Sequence, residues 1–254
     1  MRSDEFQNLL SIACSRAKSE GAEMGIGTYG EKSLHRTLKY YFEPNSDLHE
    51  VAFNGSVADI KNDEGIIEIQ TRSFEKLVPK LERFLSCSHV TIVYPIVERK
   101  RICRIDFDTG EILSSKISPK RGKITDALAE ISKIRQFIPN PNLSIRLVFL
   151  DATETRTPVK SKKVGRQRTD KVDCEPTSIN SILELKTAKD FVALVPCGLP
   201  NEFSSKEFEK ITKLHAIELH NSLLFLLGLN IIGRKRGDGR AYVYSLNSLC
   251  KHEN

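Results

Sequence analysis

The segment Val57-Ala-Asp-Ile-Lys-Asn-Asp-Glu-Gly-Ile-Ile-Glu-Ile-Gln70 consists of two short apolar runs separated by a polar, glycine-containing turn. The runs are typical of β-strands, and Asn62 to Gly65 is typical of the turn that joins them in a hairpin. Asp59 lies in the first predicted strand and Glu68 in the second, with Gln70 two residues further on. Because side chains two residues apart in a strand share a face, the hairpin predicts that these three side chains meet.

The two carboxylates of this hairpin stand among isoleucines. An ionised carboxylate in apolar surroundings is costly unless it is paired or binds a cation. Two of them directed at one place favour a hard divalent metal with oxygen ligands. The sequence therefore predicts that Asp59 and Glu68 bind Mg²⁺ or Mn²⁺. The alternative left open by the spacing is that they are ordinary surface carboxylates of a hairpin.

The hairpin stands inside a longer series of predicted elements, in the order helix, three strands, helix, strand. Asn54-Gly55 is a strong signal for the turn between the first two strands. The final strand is a continuous β-branched run, which predicts burial on both faces. Around the hairpin, the predicted bounds are about 31–42 for the first helix, 49–53 for the first strand, 74–85 for the second helix and 90–97 for the last strand.

This order and the acidic pair resemble the core of the PD-(D/E)xK nuclease superfamily, which includes many restriction endonucleases and archaeal Holliday-junction resolvases. Gln70 stands where the superfamily usually has Lys, and Ala58 stands where Pro is common. The resemblance implies an α/β fold with a restriction-endonuclease-like αβββαβ core and a mixed sheet. It also implies that Glu31 joins Asp59, Glu68 and the backbone carbonyl of the following residue around the metal, and that Gln70 orients the attacking water. A carboxylate at position 31 also suits a helix N-terminus.

The C-terminal part predicts three helices followed by a two-stranded hairpin, an order that resembles a small winged helix-turn-helix domain. Residues 1–151 would form the nuclease-like domain, 152–181 a basic linker and 182–250 the winged-helix domain. The linker holds six cations between residues 160 and 171 and is either a solvated spacer or an arm that contacts phosphates. A winged helix that packs against protein is the alternative to DNA binding. The predicted nucleic-acid contacts are Lys213, His215, Arg234, Lys235, Arg236 and Arg240, with Lys120 and Arg121 of an earlier basic loop.

Composition limits the other classes of function. The chain has 254 residues and a net charge of +6, which is compatible with DNA as a partner. Its six cysteines and six histidines form no metal-binding spacing, and no apolar run has the length of a membrane span. We expect a cytoplasmic or nucleoid-associated protein, and a homodimer is compatible with the sequence. Gly25-Ile-Gly-Thr-Tyr-Gly30 has the spacing of a dinucleotide-binding loop, but no apolar strand precedes it.

The sequence therefore predicts a metal-dependent DNA endonuclease that hydrolyses phosphodiester bonds and binds DNA through its C-terminal winged helix. The alternative is a catalytically inactive, nuclease-fold regulator or structural factor that binds DNA. Whether three acids converge, which a metal titration would show, distinguishes the two.

Overall fold

The computed structural model describes residues 3–23, 33–106, 108–158, 169–237 and 241–247. They form a mixed α/β fold with one sheet of seven strands and one of three. The α-helices are α1 (Ser3–Glu23), α2 (Ser33–Phe42), α3 (Val78–Phe84), α4 (Ile124–Ile131), α5 (Ser205–Thr212) and α6 (Ala216–Gly228). The strands are β1 (His49–Phe53), β2 (Ser56–Asn62), β3 (Gly65–Ile69), β4 (Val90–Ile105), β5 (Ile112–Ile117), β6 (Leu143–Pro158), β7 (Thr169–Leu185), β8 (Glu202–Ser204), β9 (Ile232–Arg236) and β10 (Tyr242–Leu246). Short 3₁₀ turns lie at Ser46–Leu48, Phe74–Leu77, Ser132–Ile134 and Asp190–Leu194.

The large sheet is mixed. Its strands follow the order β1-β2-β3-β4-β6-β7, and β5 pairs with the far end of β4. The pairs β1–β2 and β2–β3 are antiparallel, whereas β3 and β4 are parallel and so are β4 and β6. A parallel pair needs a crossover connection, and α3 lies in the connection between β3 and β4. The predicted order of helix, three strands, helix and strand is therefore observed from α2 to β4.

The two tight turns of the N-terminal hairpins follow from their residue types. Asn54 and Gly55 both have positive φ, as a two-residue turn between right-twisted strands requires. Gly65 begins β3 with φ of +124°, and a Cβ atom there would lie 2.5 Å from the backbone oxygen of His89. Any larger residue at position 65 would therefore collide with the start of the neighbouring β4.

A hydrophobic core lies on each face of the large sheet. Ile66 belongs to the core that also contains residues of α3 and α4, whereas the adjacent Ile67 belongs to the core formed with α1 and α2. This division follows from the alternation of side chains along a strand. Pro79 lies in the first turn of α3, where its missing N–H costs no helical hydrogen bond. The helix predicted over 74–85 accordingly begins as a 3₁₀ turn and becomes α-helical at Val78.

The structure corrects the prediction of a basic linker over residues 152–181. Residues up to Pro158 continue β6, and residues from Thr169 onward form β7, which pairs with β6 along its length. Alternating apolar residues are sparse in this stretch, so its strand character is weak in the sequence. The residues between 158 and 169, with most of the predicted cluster of cations, lie outside the described residues.

The C-terminal part contacts the rest of the chain through a shared core. Phe191, Phe208 and Leu226 belong to the same cluster of buried residues as Leu128 of α4 and Leu185 of β7. The first of the three predicted C-terminal helices is only a 3₁₀ turn. A small strand, β8, which the sequence did not predict, pairs with β10 and completes a sheet of order β8-β10-β9.

Within the part of the chain that the structure describes, no helix combines the length and the hydropathy needed to cross a bilayer.

Candidate active site

The acidic pair lies where β2 and β3 separate. Residue pairing between these strands ends at Ile60 opposite Ile67. Asp59 and Glu68 are the next residue of each strand beyond the last pair. Beyond that point, the carboxylates replace the missing backbone partners. The N–H of Ile69 donates to Asp59 Oδ2 at 2.8 Å, and the N–H of Asp59 donates to Glu68 Oε1 at 3.3 Å. The predicted convergence of Asp59 and Glu68 is therefore observed.

A lysine that the sequence analysis did not identify completes this cluster. The Nζ atom of Lys80 lies 2.7 Å from Glu68 Oε2 and 3.7 Å from Asp59 Oδ1. Lys80 is in the first turn of α3, the helix that follows β3 in the parallel crossover. A crossover of this kind brings the start of its helix close to the end of the strand before it, which is the signal that could have identified Lys80.

A histidine reaches the pair from the other face of the sheet. His35, near the start of α2, has Nε2 at 3.2 Å from Asp59 Oδ2. Asp59 therefore contacts α2 through His35 and α3 through Lys80, which is compatible with its position in the gap between separating strands. Asp59 Oδ2 and Glu68 Oε1 accept hydrogen bonds from backbone N–H groups. Asp59 Oδ1 and Glu68 Oε2 face the ammonium of Lys80.

The two carboxylates have opposite pKa shifts. Glu68 is only 1% exposed, and burial together with the charge of Asp59 raises its pKa to about 7, in spite of the lowering effect of Lys80. Burial also acts to raise the pKa of Asp59, but the hydrogen bond and charge of His35, the charge of Lys80 and the N–H of Ile69 together hold that pKa below its ordinary value. Near neutral pH, the pair therefore carries a proton mainly on Glu68, and a cation bound there would displace it.

The raised pKa of Glu68 predicts a pH-dependent stability in the absence of metal. Its folded pKa of about 7 exceeds the ordinary value of 4.5, so this stabilising contribution is complete below about pH 4.5 and is lost as the pH rises through 7. Glu68→Gln removes that loss, which amounts to at most about 3 kcal/mol. Denaturant unfolding in EDTA at pH 5 and pH 8 should show a smaller decrease in the variant than in the wild type.

The matched control for this prediction is Glu64→Gln, which changes an exposed carboxylate in the turn of the same hairpin. Its stability should follow the pH dependence of the wild type. Parallel curves for the wild type and Glu68→Gln would show that Glu68 does not titrate in this range.

Gln70 lies one residue beyond the end of β3, and its side chain is engaged elsewhere. Its Nε2 donates to the backbone oxygen of Ser73 at 2.6 Å, so the amide holds the loop that follows β3. Glu31, the third predicted acid, lies outside the described residues. Over the ranges that the structure describes, no group of three or more His, Cys, Asp or Glu side chains forms a metal-binding cluster. The donor set consists of two carboxylates with a lysine ammonium beside them.

The predicted nucleic-acid contacts that the structure describes lie in three places along the chain. Lys120 and Arg121 are exposed in the loop before α4. Lys213 and His215 are exposed between α5 and α6, and His215 Nδ1 lies 2.7 Å from Glu209 Oε1. On β9, Arg234, Lys235 and Arg236 are all exposed, whereas Arg240 lies outside the described residues.

Comparison with known proteins assigns the chain to a family over the large sheet. The family model described as "Domain of unknown function (DUF8091)" matches residues 32–186. This range begins just before α2 and ends one residue after β7, so it includes the large sheet and the acidic pair. A protein of Treponema pallidum (strain Nichols) with the printed name "Uncharacterized protein" is 32% identical over 170 residues, which are 66% of this chain and 64% of that protein. The chain thus spans less than two thirds of that relative. No solved structure matches the chain.

Proposed function

We propose, for a chain that belongs to the family described as Domain of unknown function (DUF8091), that it is a metal-dependent DNA endonuclease. The observation that carries the proposal is the convergence of Asp59 Oδ1 and Glu68 Oε2 on the ammonium of Lys80 at the end of β3. Two carboxylates directed at one point are a donor set that can hold the divalent metal of a phosphodiester-hydrolysing site. Two adjacent acids, Glu68 buried and Asp59 partly buried, have pKa values shifted in opposite directions, which also favours a functional site over a chance arrangement.

The fold supports the same proposal. Three antiparallel strands, a crossover helix and a parallel fourth strand follow α2, with the acidic pair on the second and third strands. This order resembles the restriction-endonuclease-like core. In sheets with parallel strands, ligands commonly bind outside the carboxyl ends of the strands, and the acidic pair lies at that end of β3.

The chemistry of the site fits Mg²⁺. This ion commonly binds proteins through one or two carboxylates and keeps water and substrate phosphates as its other ligands. Asp59 and Glu68 would hold it, because the two oxygen atoms that now face Lys80 are not occupied by backbone donors. When bound, the ion would neutralise charge on the scissile phosphate and acidify a water molecule.

The remaining residues have distinct roles in this proposal. His35 and the N–H of Ile69 fix the orientation of the Asp59 carboxylate through Oδ2. Lys80 supplies a positive charge beside the reacting phosphate. Gln70 holds the loop after β3 through Ser73. The side chain that orients the attacking water would then be Lys80 and not Gln70.

The C-terminal part is proposed to be a winged helix that binds DNA. Two helices, α5 and α6, precede the hairpin of β9 and β10, and β8 pairs with that hairpin. Ser204 begins α5 with a capping box to Glu207. The wing carries exposed cations on β9. The guanidinium of Arg234 stacks over the Tyr242 ring at 4.3 Å, and Lys235 pairs with Glu202 at 2.5 Å.

Replacing Arg234, Lys235 and Arg236 together by alanine should weaken duplex binding at all sequences. Each phosphate contact that is lost should reduce the slope of log affinity against log salt concentration by about one. Fluorescence anisotropy over a range of salt concentrations measures both quantities. Lys116→Ala, which removes an exposed cation from β5 of the other sheet, should leave the slope unchanged. An unchanged slope in the triple variant would place the DNA-binding surface elsewhere.

Incubation of the purified chain with plasmid, linear and branched DNA in Mg²⁺, Mn²⁺ or EDTA tests the proposed function. Cleavage with either metal and none in EDTA is the expected result. A second candidate function is favoured by one observation: Lys80 already neutralises the acidic pair, as it would in a purely structural ion pair. A chain that binds DNA tightly but cleaves no substrate with either metal would be a nuclease-fold regulator or structural factor.

A further inference from the structure

We propose that a second site, next to the acidic pair, binds a phosphate group. The site is a pocket of about 140 Å³ over the extended parts of β4, β6 and β7, with space for more than one water molecule. The start of α2 and the segment after β3 close its sides. Its polar and charged lining consists of His35, Thr71, Arg72, Lys100, Glu154 and Lys171. The inference does not depend on DNA cleavage, since it rests on the charges of this pocket.

The carboxylate of Glu154 forms ion pairs with three cations at the pocket. Glu154 is 2% exposed. Its Oε2 lies 2.9 Å from Lys100 Nζ and 3.4 Å from Lys171 Nζ, and its Oε1 accepts from Arg156 Nε at 2.6 Å. Burial acts to raise the pKa of Glu154, but the hydrogen bonds from Lys100 and Arg156 outweigh it and lower the pKa to about 2. The carboxylate is therefore charged throughout the physiological range.

The positive charge at this place exceeds the negative charge. Three cations share the single carboxylate of Glu154, and Lys100 and Lys171 approach the same oxygen atom. Arg72 is the third cation of the pocket lining, beside Lys100 and Lys171, and it makes no hydrogen bond or ion pair with any residue in the described ranges. Cations held this closely repel one another, and a bound anion would remove the repulsion.

The chemistry of the lining favours phosphate over a carboxylate ligand. An arginine fork and two lysine ammonium groups offer more donors than a single carboxylate can accept, whereas phosphate has several acceptor oxygens. Thr71 adds a hydroxyl group to the same wall. His35 belongs both to the pocket and to the acidic pair through its contact with Asp59. A phosphate in the pocket would thus lie beside the proposed catalytic site, either as part of a nucleic-acid backbone or as a free phosphate group.

Calorimetric titration of the full chain in EDTA tests this inference, because EDTA excludes cleavage and metal binding. Separate titrations with inorganic phosphate and with a short DNA duplex distinguish the two sources of the group. Arg72→Ala should weaken binding by about tenfold or more, since a hydrogen bond to a charged group is worth about 1.5–3 kcal/mol. Lys171→Gln should have a similar effect. Arg72→Lys should restore part of the affinity.

Two comparisons make the test decisive. Lys206→Ala removes an exposed cation from α5 that does not line the pocket, and it should leave phosphate affinity unchanged. If only the duplex binds and Arg72→Ala weakens that binding more than Lys206→Ala does, the pocket takes a backbone phosphate. Equal affinity of the wild type, Arg72→Ala and Lys171→Gln for both ligands would overturn the proposal, as would failure of both ligands to bind. Because these titrations contain no metal, a failure here and a failure of DNA cleavage are separate results.

Discussion

Lys80→Ala should reduce DNA cleavage by about 10²- to 10⁴-fold and strengthen the binding of divalent cations. The loss of rate is the usual effect of removing a group that supplies a proton or positions a water molecule. The gain in metal affinity follows from the position of Lys80 Nζ, which lies 2.7 Å from Glu68 Oε2 and competes with a metal for that oxygen. Single-turnover cleavage of labelled duplex and junction DNA with Mn²⁺ measures the rate, and calorimetry measures the affinity.

The control for this prediction is Gln70→Ala. Because the Gln70 amide donates to Ser73 and not to the acidic pair, this variant should lose less activity than Lys80→Ala. In the Lys80→Ala background, Gln70→Lys should restore part of the cleavage, since position 70 directly follows β3, two residues after Glu68. A greater loss in Gln70→Ala than in Lys80→Ala would return the water-positioning role to Gln70.

The opposite effects on cleavage rate and metal affinity distinguish a local effect of the substitution from a loss of the fold. A variant that had simply lost its fold would lose cleavage and metal binding together. Unaltered cleavage by Lys80→Ala, with the wild type active, would show that the ammonium serves only to neutralise Glu68. Circular dichroism of the variant monitors the fold independently.

Local sequence patterns predicted the hairpin that holds the site. Asn54-Gly55 forms the turn between β1 and β2, and Gly65 begins β3. All three residues have the positive φ values that Asn and Gly tolerate. Alternation along β3 places Ile66 and Glu68 on one face and Ile67 on the other, as expected of a strand. The convergence of Asp59 and Glu68 could therefore be predicted without any long-range contact.

Residues supplied by other elements could not be predicted in the same way. His35 and Lys80 reach Asp59 from helices on opposite faces of the sheet, 24 positions before it and 12 positions after Glu68. Their proximity depends on where the strands separate and on how each helix packs, which a periodic pattern does not specify. The superfamily pattern predicts the third functional residue at position 70, two residues after Glu68, and contains no position at the start of α3.

The strand β7 and the part of β6 after Leu150 were missed for a different reason. Beyond Leu150, their residues are mostly polar, with Thr, Glu, Arg and Lys where apolar side chains would indicate a strand. Pairing with β4 and with each other satisfies their backbone groups, and the buried carboxylate of Glu154 is stabilised by cations of all three strands. Charge pairing replaces hydrophobic burial there, so the composition resembled that of a linker.

Asp59→Asn and Glu68→Gln should each abolish measurable divalent-cation binding and reduce cleavage by about 10³-fold or more. A bound metal stabilises charge in the transition state by several kcal/mol, and each 1.36 kcal/mol corresponds to a tenfold change in rate. Glu64→Gln, on the exposed turn of the same hairpin, should change neither property. Calorimetry with Mn²⁺ and single-turnover cleavage measure the two effects on the same protein preparations.

The double variant Asp59→Asn/Glu68→Gln provides the sharper part of this prediction. Since both carboxylates would hold one ion, removal of either already disables the site, and the double variant should cleave no more slowly than the slower single variant. Additive losses would instead mean that the two residues act separately, for example through His35 and Lys80. Equal Mn²⁺ affinity in the wild type and both single variants would eliminate the metal site. Tight DNA binding without cleavage would then leave the acidic pair and Lys80 as the structural ion pair of a DNA-binding regulator.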